Sequence, residues 1–218
     1  MKPIIDNYVH AKYPKGSVTQ WFGENPDLYA FLELEGHNGI DIVAPYGTPI
    51  KAPCDMQIVE LKYSPDGYGS HVRAIGGGYE LVFGHLSKIY DNLILGCEIK
   101  EGEYFCNMGN TGFVVSGPTP FWKYNPHGGT HCHLGGRKFT PRIGNEPYNI
   151  QFATGLQGTI ENYDNGFKGS VDIAPLFTTA VVKEEEQKKQ LMLTIIGLSN
   201  QVIDLLKSII NIKKKYVK

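Results

Sequence analysis

From Val18 to about Leu134 the chain runs as short alternations of apolar and polar residues, broken at intervals by Gly, Pro, Asn and Asp. A period of two over four to eight residues is the mark of strands with one buried face, so this stretch predicts a multi-stranded antiparallel sheet. Met56 to Lys62, His71 to Ile75 and Tyr79 to His85 are the clearest strands. Gly76, Gly77 and Gly78 separate the last two and supply the backbone freedom of a hairpin turn. Between Pro118 and Gly129 a run containing Phe121, Trp122 and Tyr124 is interrupted by Pro and Gly, and reads as an excursion from the sheet. Its aromatics suit either a substrate groove or a self-packed surface loop. Residues 138–176 are rich in Asn, Gly and Pro without helical period, and predict loops and short strands covering one end of the core.

The period changes at about Val182. Glu184, Glu185 and Glu186 stand near the start of the new segment and Lys213, Lys214 and Lys215 near its end, both favourable to a helix dipole. Leu191, Ile195, Leu198, Val202, Leu205, Ile209 and Ile212 are spaced alternately four and three apart, the seam of a coiled coil over about three heptads. Ile196, Ile203 and Ile210 widen the stripe. Residues 191–212 are therefore expected to drive a homo-oligomer or larger assembly, or else to pack on the chain's own domain. The predicted architecture is mainly β: a compact antiparallel sheet domain over 1–176, its motif-bearing core at 18–137 and a loop-rich extension at 138–176. A C-terminal amphipathic helix follows over 182–216.

Composition narrows the functional classes. The 218 residues include 41% hydrophobic and 20% charged residues, 26 Gly, 13 Pro and 13 Tyr, which suits a folded, turn-rich body. A net charge of −1 lacks the concentrated cationic excess that phosphate binding requires, so nucleic acid is not an expected partner. No run reaches the roughly 18 to 20 apolar residues of a membrane span. No apolar segment follows Lys2, which argues against an ordinary cleaved export signal. Cys54, Cys97, Cys106 and Cys132 match no CxxC module and are expected to be mostly buried thiols.

The chemistry concentrates in three places. In Gly36-His37-Asn38-Gly39-Ile40-Asp41 an imidazole and a carboxylate lie four apart around a glycine that disfavours a helix, so the pair would converge along a bent path. In Thr130-His131-Cys132-His133-Leu134 two imidazoles two residues apart would share one face of a strand, with Cys132 on the other. His85 ends a predicted strand. Singly, each has a bland reading as a hydrogen-bonded pair or a structural histidine. Together, two imidazoles and a carboxylate make a catalytic zinc shell with one position left for water, whose pKa the metal lowers. Further histidines would then orient that water and move its proton.

With these residues in view, the chain resembles the lysostaphin and LytM-type peptidoglycan metallopeptidases. The matching segments are Val18-Thr19-Gln20-Trp21-Phe22-Gly23, Gly36 to Asp41, Gly47-Thr48-Pro49-Ile50, Gly67-Tyr68-Gly69, Gly84-His85-Leu86-Ser87, Gly109-Asn110-Thr111-Gly112 and His131-Cys132-His133. The resemblance implies that His37, Asp41 and His133 bind Zn²⁺, that His85 and His131 form a catalytic pair, and that the substrate is bacterial peptidoglycan. It implies cleavage of a peptide bond in the stem peptide or cross-bridge. Tyr29, Tyr68, Asn110, Trp122 and His127 are candidate groove residues.

The chain also departs from that family. Phe113 to Thr130 are inserted before the H-x-H motif, and Gly135-Gly136 replace the usual aromatic and acidic residues after it, which calls the strand geometry beyond the metal into question. His10 and His71 match no site position and are expected to be structural. A competing expectation from a different class is an oligomeric scaffold that binds peptidoglycan without cutting it. The setting expected from the sequence is the bacterial cell wall, reached from a phage tail or virion or by release from the host cytoplasm.

Overall fold

We describe a computed structural model of the chain, comprising residues 1–6, 18–116, 119–120, 125–143, 148–177, 192, 194–199, 202–203 and 207. The chain divides into two compact units, Met1–Phe177 and Thr178–Lys218. In the first, the strands in chain order are β1 Val18–Gln20, β2 Ile40–Ile42, β3 Pro49–Lys51, β4 Met56–Ser64, β5 Gly69–Gly76, β6 Tyr79–Phe83, β7 Lys88–Ile89 and β8 Glu98–Ile99. They continue as β9 Tyr104–Asn107, β10 Val115–Ser116, β11 Thr119–Pro120, β12 Cys132–Thr140, β13 Asn149–Gln151 and β14 Gln157–Ile160. A single helical turn α1, Pro26–Tyr29, and a 3-10 turn, Ala30–Leu32, lie between β1 and β2.

The main sheet is antiparallel in the order β1-β2-β12-β6-β5-β4-β8, with the β13–β14 hairpin added to the far end of β12. A second sheet, β3-β9-β7, covers one of its faces. The alternation of residues along the strands explains the layering. Cys132 and Leu134 of β12, Leu81 and Phe83 of β6, and Val72 and Ala74 of β5 join Ile50, Phe105 and Cys106 of the second sheet in one buried cluster. Their neighbours Asp41, His133, Arg137, Glu80 and Arg73 therefore occupy the opposite face. A smaller cluster of Val59, Phe139, Phe152 and Ile160 seals the end of the sheet where β13 and β14 join β12. All four cysteines are free, Cys106 and Cys132 fully buried and Cys54 and Cys97 half-buried.

Three details differ from, or refine, the sequence expectations. The third predicted strand stops at Phe83, because His85 takes a left-handed conformation with φ 61° and leaves the sheet. The segment after Phe113 is not wholly irregular: β10 and β11 pair as a short hairpin, while Trp122 lies outside the described residues. The two glycines after His133 do not interrupt β12, which pairs Gly135 with Val82 and Gly136 with Leu81 in unbroken register. A Cβ at Gly136 would stand 2.5 Å from Ile173 Cγ2, so close packing of the neighbouring chain demands glycine there.

In the second unit, the described residues 192, 194–199, 202–203 and 207 are helical, and Ile195, Ile196, Leu198, Val202 and Ile203 are each about half exposed. Leu191, Leu205, Ile209 and Ile212 lie outside the described residues. Among the described residues no helix is long and apolar enough to cross a membrane.

Candidate active site

Register brings the separated motifs together. β2 pairs with β12 so that Asp41 stands directly opposite His133. His37 arrives from the loop before β2, whose entry is pinned by backbone hydrogen bonds from His37 N to Glu24 O and from Gly23 N to His37 O. The three side chains are buried and their donor atoms converge. His37 Nε2 lies 3.0 Å from His133 Nδ1, His37 Nε2 lies 3.1 Å from Asp41 Oδ1, and His133 Nδ1 lies 3.2 Å from the same oxygen. In a tetrahedral shell with bonds of 2.0–2.1 Å, ligand atoms stand roughly 3.3–3.4 Å apart. The observed triangle is thus within a few tenths of an ångström of what one small cation needs.

The protonation pattern points the same way. His37 Nδ1 donates to Trp21 O at 3.2 Å, which leaves a lone pair on the Nε2 that faces the triangle. Asp41 is held well below the usual carboxylate range. Burial alone would raise it, but His131, His133 and His37 surround the carboxylate and outweigh that effect. Burial pushes His133 down to about 4, against the opposing pull of Asp41, so its ring is neutral at neutral pH. A neutral His133, an ionised Asp41 and the Nε2 of His37 in mutual contact gather three donor atoms around one point, and the residues fit a divalent metal.

His85 and His131 stand beside this triangle with ring centroids 4.6 Å apart. Each donates its Nδ1–H to a backbone carbonyl, His85 to Thr111 O at 2.8 Å and His131 to Gly129 O at 2.7 Å. The Nε2 of each is thereby left free of those carbonyls, and that of His131 lies 3.6 Å from Asp41 Oδ2. Burial, reinforced by the nearby His131 and His133, drives His85 well below the ordinary histidine range. The left-handed backbone at His85 is sparsely populated for a non-glycine residue and is held by His85 N to Tyr68 O at 2.7 Å and Leu86 N to Ser70 O at 2.9 Å.

A groove of about 370 Å³ opens beside the histidines and is lined in part by Tyr29, Asn38, Tyr68, His85 and His133. Tyr29 stacks near His37, with ring centroids 5.3 Å apart, and donates its hydroxyl to Gln20 Oε1. Tyr68 lies 4.9 Å from the His133 ring and accepts a hydrogen bond from Asn38 Nδ2 at 2.8 Å. Asn110 is differently employed: it is buried, and its amide donates to Pro126 O and Gly128 O, anchoring the loop that carries Gly129 and His131. His127 is exposed and stacked on Tyr46 at 4.3 Å. His71 has its two ring nitrogens against Gly69 O and Glu60 Oε1, a structural arrangement. The carbonyls of Trp21, Thr111 and Gly129, which set the tautomers, left no trace in the sequence reading because any residue type carries one. Arg73, Glu80 and Arg137, which also line the groove, were missed because they lie on three different strands.

A β domain that converges two imidazoles and a carboxylate on one point, with two further histidines alongside, has the arrangement of a single-metal hydrolase. Residues 35–137 match the model of peptidase family M23. A curated relative described as an uncharacterized metalloprotease from Haemophilus influenzae is 30% identical over 136 residues, covering 60% of this chain and 26% of the relative. The chain thus spans about a quarter of that relative's length. Among solved structures, the chain is similar to the catalytic domain of the prophage-encoded M23 protein EnpA from Enterococcus faecalis. Identity there is 25% and the TM-score 0.44, with 62% of this chain and 87% of the other covered. It is also similar to the antimicrobial peptidase lysostaphin from Staphylococcus simulans, at 20% identity and TM-score 0.49, covering 76% of this chain and 50% of the other.

Proposed function

We propose that the protein is a zinc-dependent endopeptidase that hydrolyses peptide bonds of bacterial peptidoglycan, in the stem peptide or the cross-bridge. The observation that carries this reading is the convergence of His37 Nε2, His133 Nδ1 and Asp41 Oδ1 within 3.0–3.2 Å, inside the stretch that matches peptidase family M23. Two nitrogen donors and one oxygen donor favour zinc among the common divalent ions. Zinc, when bound, supplies a Lewis acid that polarises the scissile carbonyl and acidifies water at neutral pH.

The chain's own residues supply the rest. His131 Nε2, an acceptor close to the Asp41 carboxylate, takes a proton from the attacking water and returns it to the leaving amine. His85, which burial keeps unprotonated, offers its Nε2 as a second acceptor that orients the attacking water. Tyr29 and Tyr68 wall the groove in which the peptide lies. The described helical residues Ile195, Ile196, Leu198, Val202 and Ile203 are exposed and apolar, as assembly would require, and we include in the proposal that residues 191–212 mount the enzyme on a larger, phage-borne structure acting at the cell wall. Dye-labelled sacculi test the enzymatic reading. Zinc-loaded protein should release soluble fragments bearing new peptide N-termini, whereas bound zinc without release from any wall type would favour a non-cleaving scaffold.

A further inference from the structure

The face of the sheet that carries the metal centre does not end there. Beyond His133 and Gly135 on β12 comes Arg137, paired across the sheet with Glu80 on β6, and Arg73 on β5, opposite Val82, stands diagonal to Glu80 on the same face. Glu80 is 1% exposed and accepts from both guanidiniums, Arg73 Nη1 to Oε1 at 3.1 Å and Arg137 Nε to Oε2. Arg73 Nε also reaches Glu60 Oε1 at 3.1 Å, and its guanidinium lies 5.7 Å from the centre of the Tyr68 ring, the same ring that packs on His133. His133, Tyr68 and both arginines thus line one continuous groove.

A buried ion cluster that merely held the strands together would spend its donors internally. This one does not. Neither Nη atom of Arg137 and not the Nη2 of Arg73 has an acceptor among the described residues, although the side chains are only 17% and 21% exposed. The groove is lined by Arg73, Arg137 and Lys168 against only Asp66 and Glu80, and both oxygens of Glu80 are already engaged. None of these nitrogens is a buried group without a partner, so those lacking a protein acceptor face solvent; a carboxylate displacing that water would gain charge-assisted hydrogen bonds, and its planar group matches the guanidinium fork.

We propose that Arg137 and Arg73 form a carboxylate-binding subsite for the substrate peptide, set along the sheet from the cleavage centre. This deepens, and rests on, the peptidoglycan reading above. Four residues of β12 separate His133 from Arg137, about 13 Å, so the recognised carboxylate lies three to four residues of extended chain from the cut bond, by rough measure. The chemical class is a stem peptide whose side-chain or α-carboxylates are free. Amidation of those carboxylates removes the charge and replaces an acceptor oxygen by a donor NH₂ that would oppose the guanidinium donors.

The test uses the zinc-loaded full chain and one cross-linked stem-peptide dimer made in two forms, with its D-glutamate α-carboxylates free or amidated to D-isoglutamine. KM and kcat are measured for cleavage, and binding is measured separately in a His131→Ala background. The free form should bind roughly 10- to 100-fold more tightly, the effect expected of charge-assisted hydrogen bonds, with the difference in KM rather than kcat. Arg137→Gln should reduce the preference to about twofold or less. Arg137→Lys keeps a charge opposite Glu80, covers a failure of the glutamine variant to fold, and should lose most of the preference because an ammonium offers no fork. Equal use of both forms by the wild type, or equal loss of both forms in the variants, overturns the subsite and leaves the endopeptidase standing. Failure of the zinc-loaded protein to bind or cut either form overturns both.

Discussion

His37 Nε2 and His133 Nδ1 face one another across 3.0 Å, with Asp41 Oδ1 in contact with both. Removing either nitrogen opens the triangle, so His133→Ala should abolish stoichiometric zinc binding and lower cleavage by at least about a thousandfold. Metal analysis after dialysis, beside a melting curve, checks this. The wild type should melt higher with zinc than with a chelator, by about 2.7 kcal/mol of stabilisation when free metal is a hundred times its Kd. A His133→Ala protein that still holds one zinc would contradict the ligand assignment.

His131 makes no contact within the triangle closer than its 3.6 Å approach to Asp41 Oδ2. Replacing it with Ala should therefore leave zinc content near one per chain while cutting the rate about 10²- to 10⁴-fold, the range of a lost acid-base group. Loss of metal and rate together would instead make His131 a ligand.

At His85 backbone and side chain can be separated. Asn tolerates the left-handed region better than other non-glycine residues, so His85→Asn should keep the fold and melting temperature near those of the wild type while losing most cleavage. His85→Val should also unfold earlier, since a β-branched side chain resists φ 61°. Equal melting temperatures for the two variants would show that the conformation is not enforced.

Gly135 is where the chain departs from the aromatic and acidic pattern after H-x-H. A Cβ there would stand 2.8 Å from Val82 Cγ1 and 3.2 Å from His133 Nε2. Gly135→Ala should cost about 1–3 kcal/mol by overpacking and weaken zinc binding by displacing the His133 ring. Chemical unfolding and a zinc competition titration read the two effects separately.

Glu60 provides a pH signature away from the metal. The hydrogen bond with His71 is the largest influence and, aided by Arg73, lowers its pKa from 4.5 to about 2 despite partial burial. A carboxylate depressed in the folded state contributes stability that is complete above its unfolded value and is lost as pH falls through the folded one. Between about pH 4.5 and 2 the wild type should lose stability more steeply than Glu60→Gln, read as urea midpoints at intervals across that window.

What the sequence could disclose depended on whether a feature is local. The strands β4, β5 and β6 and the β5–β6 hairpin were legible because alternation and the glycine turn at Gly76–Gly78 are encoded within a few residues. The end of β6 was not, because the turn at His85 is imposed by Tyr68, in the turn before β5, and by Ser70 on β5. His37, Asp41 and His133 could be named because their motifs are compact, although only the pairing of β2 with β12 makes them neighbours. The carbonyls that set the histidine tautomers, and the Arg73–Glu80–Arg137 row, depend on register between distant strands and carry no sequence mark. Asn110, a groove candidate by motif, proved to be the anchor of the loop behind His131.

The most direct measurement is the release of new amino groups from purified peptidoglycan by zinc-loaded wild type, run beside His131→Ala and a chelated control. The account predicts steady release by the wild type and none above background by the other two. Equal release by His131→Ala, or no release by a wild type shown to hold one zinc, would contradict it.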